Sequence, residues 1–176
     1  MPKQNRPGET GGQQWTRVKR YLKKSGDIET ANFTIGNIRK GLVSTYVIRK
    51  LAQRLMKHDE FESAGKLLRT AQKFAQPHPF VDFEYARWLW AMSQQKRSFA
   101  FLSKKTTFWD QSYLWNLLSV IYDVWDDKPM IASCQKAVNR CLDKELADPK
   151  AANARVHRLQ KVARAKQLKT GNWATV

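Results

Sequence analysis

Apolar residues recur at helical spacing along most of the chain. In residues 44–77, Val47, Ile48, Leu51 and Leu55 share one stripe. Phe61, Ala64, Leu67, Leu68 and Ala71 share a second, so two amphipathic helices are predicted. The polar turn Lys57-His58-Asp59-Glu60 between them is so short that the helices must lie antiparallel and bury their stripes together. Small Ala64 and Ala71 let the backbones approach closely. Such a hairpin keeps a second apolar face and needs a neighbour.

The same pattern continues downstream. Pro77-His78-Pro79 stops one helix and starts another, 80–94, with Phe83, Ala86 and Trp90 on one side and Trp88 on the other. A shorter partner, 96–106, carries Phe99, Phe101 and Leu102. Asp110 is predicted to cap a helix over 111–125, the most hydrophobic, with Leu114, Leu117, Leu118, Ile121, Tyr122 and Trp125. The turn Asp126-Asp127-Lys128-Pro129 leads into 130–145, where Ile131, Cys134, Val138, Cys141 and Leu142 point inward. Asp148-Pro149 supplies a cap and a first-turn proline for a last helix, 150–168.

The amino-terminal third is less regular. Residues 1–12 have almost nothing to bury and are expected to be disordered. Residues 13–24 form a short helix with Trp15, Val18 and Leu22 on one face. Ser25-Gly26-Asp27 breaks it. Residues 28–36 read as a brief extended piece or a loop that packs Phe33 and Ile35. Asn37 would then cap a helix running to Lys57, with Ile38, Leu42 and Tyr46 added to its stripe.

These elements predict an all-α fold: a single domain over 13–169. It comprises a basic N-terminal helix and loop (13–36), an array of about three antiparallel helical hairpins (37–148, an α-solenoid) and a basic C-terminal helix (149–169), with a tail at 170–176. Ala64, Phe99 and Cys134 stand 35 residues apart, each early in the second helix of a hairpin. A period near 34 is the mark of paired-helix repeats. The stretch 45–78 resembles a tetratricopeptide repeat. Ile48, Leu51, Ala52 and Leu55 match the first-helix signature, Ala64, Leu68 and Ala71 match the second, and Pro77 lies one residue past the usual terminal proline. In 80–113, Phe83, Ala86 and Trp90 fit, while Ser103 and Thr106 depart from the pattern. The unit 115–148 fits by character rather than identity. The resemblance implies a scaffold that grips a partner along a concave face, here Arg49, Gln53, Glu84, Trp88, Ser119, Asp123 and Asp126. That set lacks the Lys/Asn/Arg pattern by which chaperone-binding members clamp a C-terminal carboxylate.

Charge changes the picture. The 32 Lys and Arg against 15 Asp and Glu leave a net +17, a field that favours polyanions such as RNA, DNA, an acidic protein or an anionic membrane surface. The excess sits at the two ends. Near the N-terminus it comes from Arg17, Lys19, Arg20, Lys23 and Lys24. On the last helix Ala152, Val156, Leu159 and Ala163 cluster within about 60°. The rest of that helix carries Arg155, Arg158, Lys161, Arg164, Lys166 and Lys169, and no acidic residue follows Asp148. Like charges without compensating i, i+4 acids repel each other and disfavour the helix unless an anion is near. Arginine suits that anion because its planar fork grips phosphate oxygens two at a time. Trp15 and Trp173 border the basic segments, placed either to stack on unpaired bases or to pack the termini.

Candidate chemistry is sparse. No phosphate-cradling glycine loop, nucleophile elbow or paired histidines are present, so no enzyme, cofactor or metal site is expected. Helix capping accounts for Asp110, Asp126 and Asp127; together with Asp123 they also offer a docking spot for a basic partner. Cys134 and Cys141, seven apart on one helix, are too far apart for a disulfide and read as buried thiols in a reducing compartment. No secretory signal is visible. The longest uncharged apolar-rich run, 111–122, is too short to span a membrane, so a soluble intracellular, cytoplasmic protein is expected. The functional expectation is a non-enzymatic nucleic-acid-binding scaffold, alone or in a ribonucleoprotein. It would favour RNA over duplex DNA, since no recognition helix is evident. The alternative is a protein–protein adaptor or structural subunit of a larger assembly, its charge meeting an acidic protein. A membrane-surface role ranks third, because the apolar faces of the basic helices are modest.

Overall fold

The computed structural model describes residues 9–147. These are helical throughout and contain no strand, in seven elements: α1 (Gly11–Arg39), α2 (Thr45–Lys57), α3 (Phe61–Phe74), α4 (Pro79–Ala91), α5 (Gln95–Trp109), α6 (Ser112–Val124) and α7 (Lys128–Leu146). They fall into two compact units divided after Ser93. The expected helix over 150–168 lies outside the described residues. No helix among those described is long and apolar enough to cross a membrane.

In the first unit α1 begins with a capping box. The Thr10 hydroxyl accepts from the Gln13 backbone N–H, and the Gln13 side chain accepts from the Thr10 N–H. The helix then breaks at Gly26, whose φ of 76° and ψ of 179° lie in a region that only glycine occupies readily. The break is sharp. The Tyr21 and Phe33 ring centroids are 5.2 Å apart, whereas twelve residues of straight helix would separate them by about 18 Å. The two halves of α1 therefore fold back on each other as a helical hairpin.

The break at residues 25–27 matches the sequence reading, but the extended or loop assignment for 28–36 is corrected: these residues are helical. Their β-branched and polar side chains mask that tendency, yet Thr30, Thr34 and the following Asn37 bond back into the helix. The Thr30 hydroxyl donates to the Gly26 carbonyl (2.6 Å), that of Thr34 to the Thr30 carbonyl (2.7 Å), and Asn37 Nδ2 to the Phe33 carbonyl (2.9 Å). Asn37 is consequently in the last turn of α1 rather than a cap of α2. Ile38 is buried from α1 instead of α2, and α2 starts only after Ser44.

The α2 and α3 stripes lie inside as the pattern requires, with Val47, Ile48, Leu51, Leu55, Ala64, Leu67, Leu68 and Ala71 all buried. Helix α1 packs on α2 and α3, and α4 packs on the same pair. Neighbouring helices are tied by side chains about one hairpin apart in sequence. The Ser44 N–H donates to Gln14 Oε1 (3.0 Å), Arg54 Nε to Asp27 (2.8 Å) and Trp88 Nε1 to the Phe61 carbonyl (2.8 Å). The start of α1 thus lies beside the start of α2, and the turn at Gly26 lies beside the end of α2.

In the second unit α5 packs on α6 and α6 on α7. Tyr113, Leu114, Leu117, Leu118 and Ile121 of α6 are buried. Asp127 caps α7 by accepting from the Met130 N–H (3.2 Å), with Pro129 in the first turn. The expected capping role of Asp110 is corrected. It ends α5 in the left-handed conformation (φ 43°), and Gln111 occupies the capping position of α6.

Candidate nucleic-acid interface

The first half of α1 sorts its side chains by angle. Leu22 is buried and Trp15 and Val18 are half-buried on one side. Lys19, Arg20, Lys23 and Lys24, spaced i, i+1, i+4 and i+5, are exposed on the other. No described carboxylate pairs with any of these four. Arg17, at the edge of the face and half-buried, instead forms an ion pair with Glu9. Lys19, Arg20, Lys23 and Lys24 therefore form a continuous cationic strip over the third and fourth turns of α1. The other proposed phosphate contacts, Arg155, Arg158, Lys161, Arg164, Lys166 and Lys169, lie outside the described residues, as does Trp173.

Cations that face the interior are matched differently. Glu84 is 0% exposed and accepts from Arg87 Nη1 (2.9 Å) and from Gln53 Nε2 (2.5 Å). Arg49, 8% exposed, places its guanidinium over the rings of Tyr46 and Phe80, at 5.4 and 5.1 Å from their centroids. Such stacking tolerates a buried guanidinium better than an ammonium. The Trp88 indole, 4% exposed, stacks on Tyr85 and lies against Gly65. Of the residues assigned to a concave face, Arg49, Gln53 and Glu84 are brought together between α2 and α4, whereas Trp88 packs on α3; Arg49, Glu84 and Trp88 are buried. In the other unit Ser119 is buried, Asp123 is half-buried and Asp126 is exposed in a left-handed turn (φ 56°).

Two carboxylates act as hubs: Asp27, which the sequence reading placed only in a helix break, and Asp110, which it assigned to capping and an acidic cluster. Asp27, at the α1 turn, accepts from Arg54 Nε and lies 2.5 Å from His58 Nδ1. Burial raises its carboxyl, but the hydrogen bonds and charges of Arg54 and His58 outweigh that, leaving it below the ordinary aspartate value. Beside it is an open cleft of about 530 Å³ whose lining includes Leu22, Gly26, Glu29, Arg54, His58 and Glu60. Asp110, in the second unit, accepts from Arg140 (2.5 Å), Lys144 (3.1 Å), Trp115 Nε1 (3.1 Å) and the Cys141 thiol (3.4 Å). The Lys144 bond lowers its pKa most. Burial opposes this, and bonds from Trp115, Arg140 and Cys141 lower it further, so the carboxyl lies far below its usual range. The signal was in the spacing. Asp27 and His58, like Asp110 and Cys141, stand 31 residues apart, about the length of one helical hairpin.

Cys134 and Cys141 are free and buried. Burial pushes both thiols up to about 11, so they are protonated and inert at neutral pH. Among the described residues no cluster of three His, Cys, Asp or Glu side chains has metal-binding geometry. No protein-family model, curated protein or solved structure matches the chain.

Proposed function

We propose that this protein is a non-enzymatic scaffold that holds RNA, or a ribonucleoprotein, by its phosphate backbone. Lys19, Arg20, Lys23 and Lys24 make one set of contacts, and the basic residues of 150–169 make the other. The scaffold would be an array of tetratricopeptide-like hairpins. Support for an array comes from the α1 fold-back. It places a hairpin over 11–44, one period ahead of the hairpin 45–78 that carries the clearest repeat signature.

The observation that carries the functional reading is the α1 strip: four cations on one exposed face, with no described carboxylate to balance them. Such a strip costs repulsion in the free protein, and an anion relieves it. Phosphate contacts of this kind position a strand without reading its sequence.

The test is binding of a labelled single-stranded RNA across a salt series. Substituting Lys19, Arg20, Lys23 and Lys24 with Gln should weaken binding to all sequences alike. Unchanged affinity and salt dependence in that variant would remove α1 from the interface. Wild-type protein that purifies with the same partners before and after nuclease treatment would favour the adaptor reading.

A further inference from the structure

The largest departure from ordinary burial among the described apolar side chains lies in the second unit. Phe108 is 69% exposed, the most exposed of the large apolar side chains described. It belongs to a set. Arg97, Lys104 and Phe108, spaced seven and four residues apart, fall within about 40° on the outward face of α5, opposite the buried Leu102 and Thr106. Lys104 lies one turn, about 6 Å, behind Phe108, and Arg97 about 16 Å behind it. All three are exposed. The Phe108 and Trp109 rings meet edge to face, with centroids 4.7 Å apart and planes at 87°. Two cations therefore share the outward face of α5 with the ring.

An exposed phenyl ring costs solvation, and cations alone do not need one. A ring in line with cations matches a ligand that alternates flat apolar faces with anions. Unpaired nucleotides have that composition: bases stack on aromatic rings irrespective of sequence, and phosphates meet the flanking charges. Duplexes hide their base faces, so the ring gives them nothing. RNA is the polyanion that ordinarily offers unpaired, splayed bases in loops and ends. We infer that the Phe108 end of α5 is a stacking site for one unpaired base of single-stranded RNA, with Lys104 and Arg97 along the same face contacting its phosphates. The site is separate from α1 and does not depend on it.

The experiment compares full-length wild type, F108A, F108W and K104Q with the α1 Gln variant, using a ten-nucleotide oligo-U RNA, the same length of oligo-dT, and an RNA duplex. F108A should lose about ten-fold in affinity for the oligo-U and nothing for the duplex, with an unchanged salt slope. F108W should restore binding, and K104Q should lower the salt slope by about 0.7. Ultraviolet crosslinking of the oligo-U should attach a nucleotide to the peptide containing Phe108. Since Phe108 is exposed, F108A should melt with the wild type, which separates lost stacking from lost folding. Equal losses on oligo-U and duplex, or none, would overturn the inference even if the α1 variant binds poorly and the proposed function stands. Loss with F108A but not with the α1 variant would uphold this site and discard the strip. A preference for oligo-dT over oligo-U would assign the site to DNA and overturn it. An acidic protein partner released by F108A, with no binding of any oligonucleotide, would also overturn it.

Discussion

The indole of Trp88 occupies the space that a side chain on Gly65 would need. A Cβ built at Gly65 would stand 2.3 Å from Trp88 Cζ2 and 2.6 Å from Cε2. The ring cannot step aside, because its Nε1 donates to the Phe61 carbonyl at 2.8 Å and its face is covered by Arg69, whose guanidinium lies 5.0 Å from the centroid. Glycine inside α3 costs helix propensity, about 1 kcal/mol against alanine. Overpacking a rigid ring costs about 1–3 kcal/mol. The clash wins at this separation, so Gly65→Ala should destabilise the fold by about 1–2 kcal/mol in urea denaturation, whereas alanine would stabilise an ordinary helix site.

Two other glycines of α1 provide a matched pair. A Cβ at Gly26 or at Gly36 would meet nothing within 4 Å, so sterics with neighbours are absent at both. Gly26 has the left-handed φ of 76°, and Gly36 is ordinary helix. Gly26→Ala should therefore cost about 1–3 kcal/mol through the backbone alone, while Gly36→Ala should stabilise by about 0.5–1 kcal/mol. Thermal melts of the two variants should move in opposite directions from the wild type.

Asp110 gives a pH signature. Its folded pKa is depressed, so the stabilisation it confers is complete above its unfolded value of about 3.9 and is lost as pH falls through the lower folded value. Asp110→Asn keeps a residue that tolerates the left-handed conformation while removing the charge that holds Arg140 and Lys144. The pairs are well exposed, so about 1 kcal/mol is the expected cost at pH 7, or a few degrees in Tm. The gap between wild type and variant should begin to narrow as pH falls below about 4 and go on narrowing down to the depressed folded value. A gap that does not change with pH would assign the effect to backbone shape instead of charge.

Replacing Lys19, Arg20, Lys23 and Lys24 with Gln should reduce the log–log salt slope for single-stranded RNA by about 3, at about 0.7 per lost phosphate contact. Because these side chains are exposed and carry like charge, the variant should be no less stable than the wild type. The slope is the decisive readout: a change in affinity at one salt concentration alone does not count contacts.

Much of the architecture was legible where apolar side chains repeat at helical spacing. The α2 stripe, most of the α3 stripe and most of the apolar face of α6 are buried as their patterns require, while Phe61 is half-buried and Trp125 is exposed. The second half of α1 was not legible, since its inward positions include Thr30 and Thr34 beside Ala31 and Ile38. Those threonines count as polar in a hydropathy pattern, yet they satisfy their hydroxyls on carbonyls one turn back and so become compatible with burial. The spacing 31, 34, 38 was helical all along. On the site, the exposure of Lys19, Arg20, Lys23 and Lys24 follows from the wheel of α1. The burial of Arg49, Glu84 and Trp88 does not follow from theirs. It depends on Tyr46, Phe80, Gln53 and Gly65, contacts that exist only once α2, α3 and α4 are stacked. Phe108 was hidden for the opposite reason, as a phenylalanine in a helical pattern is ordinarily assigned to the interior.

The ties from Ser44 to Gln14 and from Arg54 to Asp27 also bear on how the chain matures. Each joins a residue to one that left the ribosome about thirty positions earlier. At about 5–20 residues per second that interval is a few seconds. The amino-terminal hairpin thus waits only for α2 before it has a surface to close against, and need not wait for the carboxyl end. Translation itself would then set the order of assembly, and the cationic strip would be solvent-facing and complete while the rest of the polypeptide was still being made.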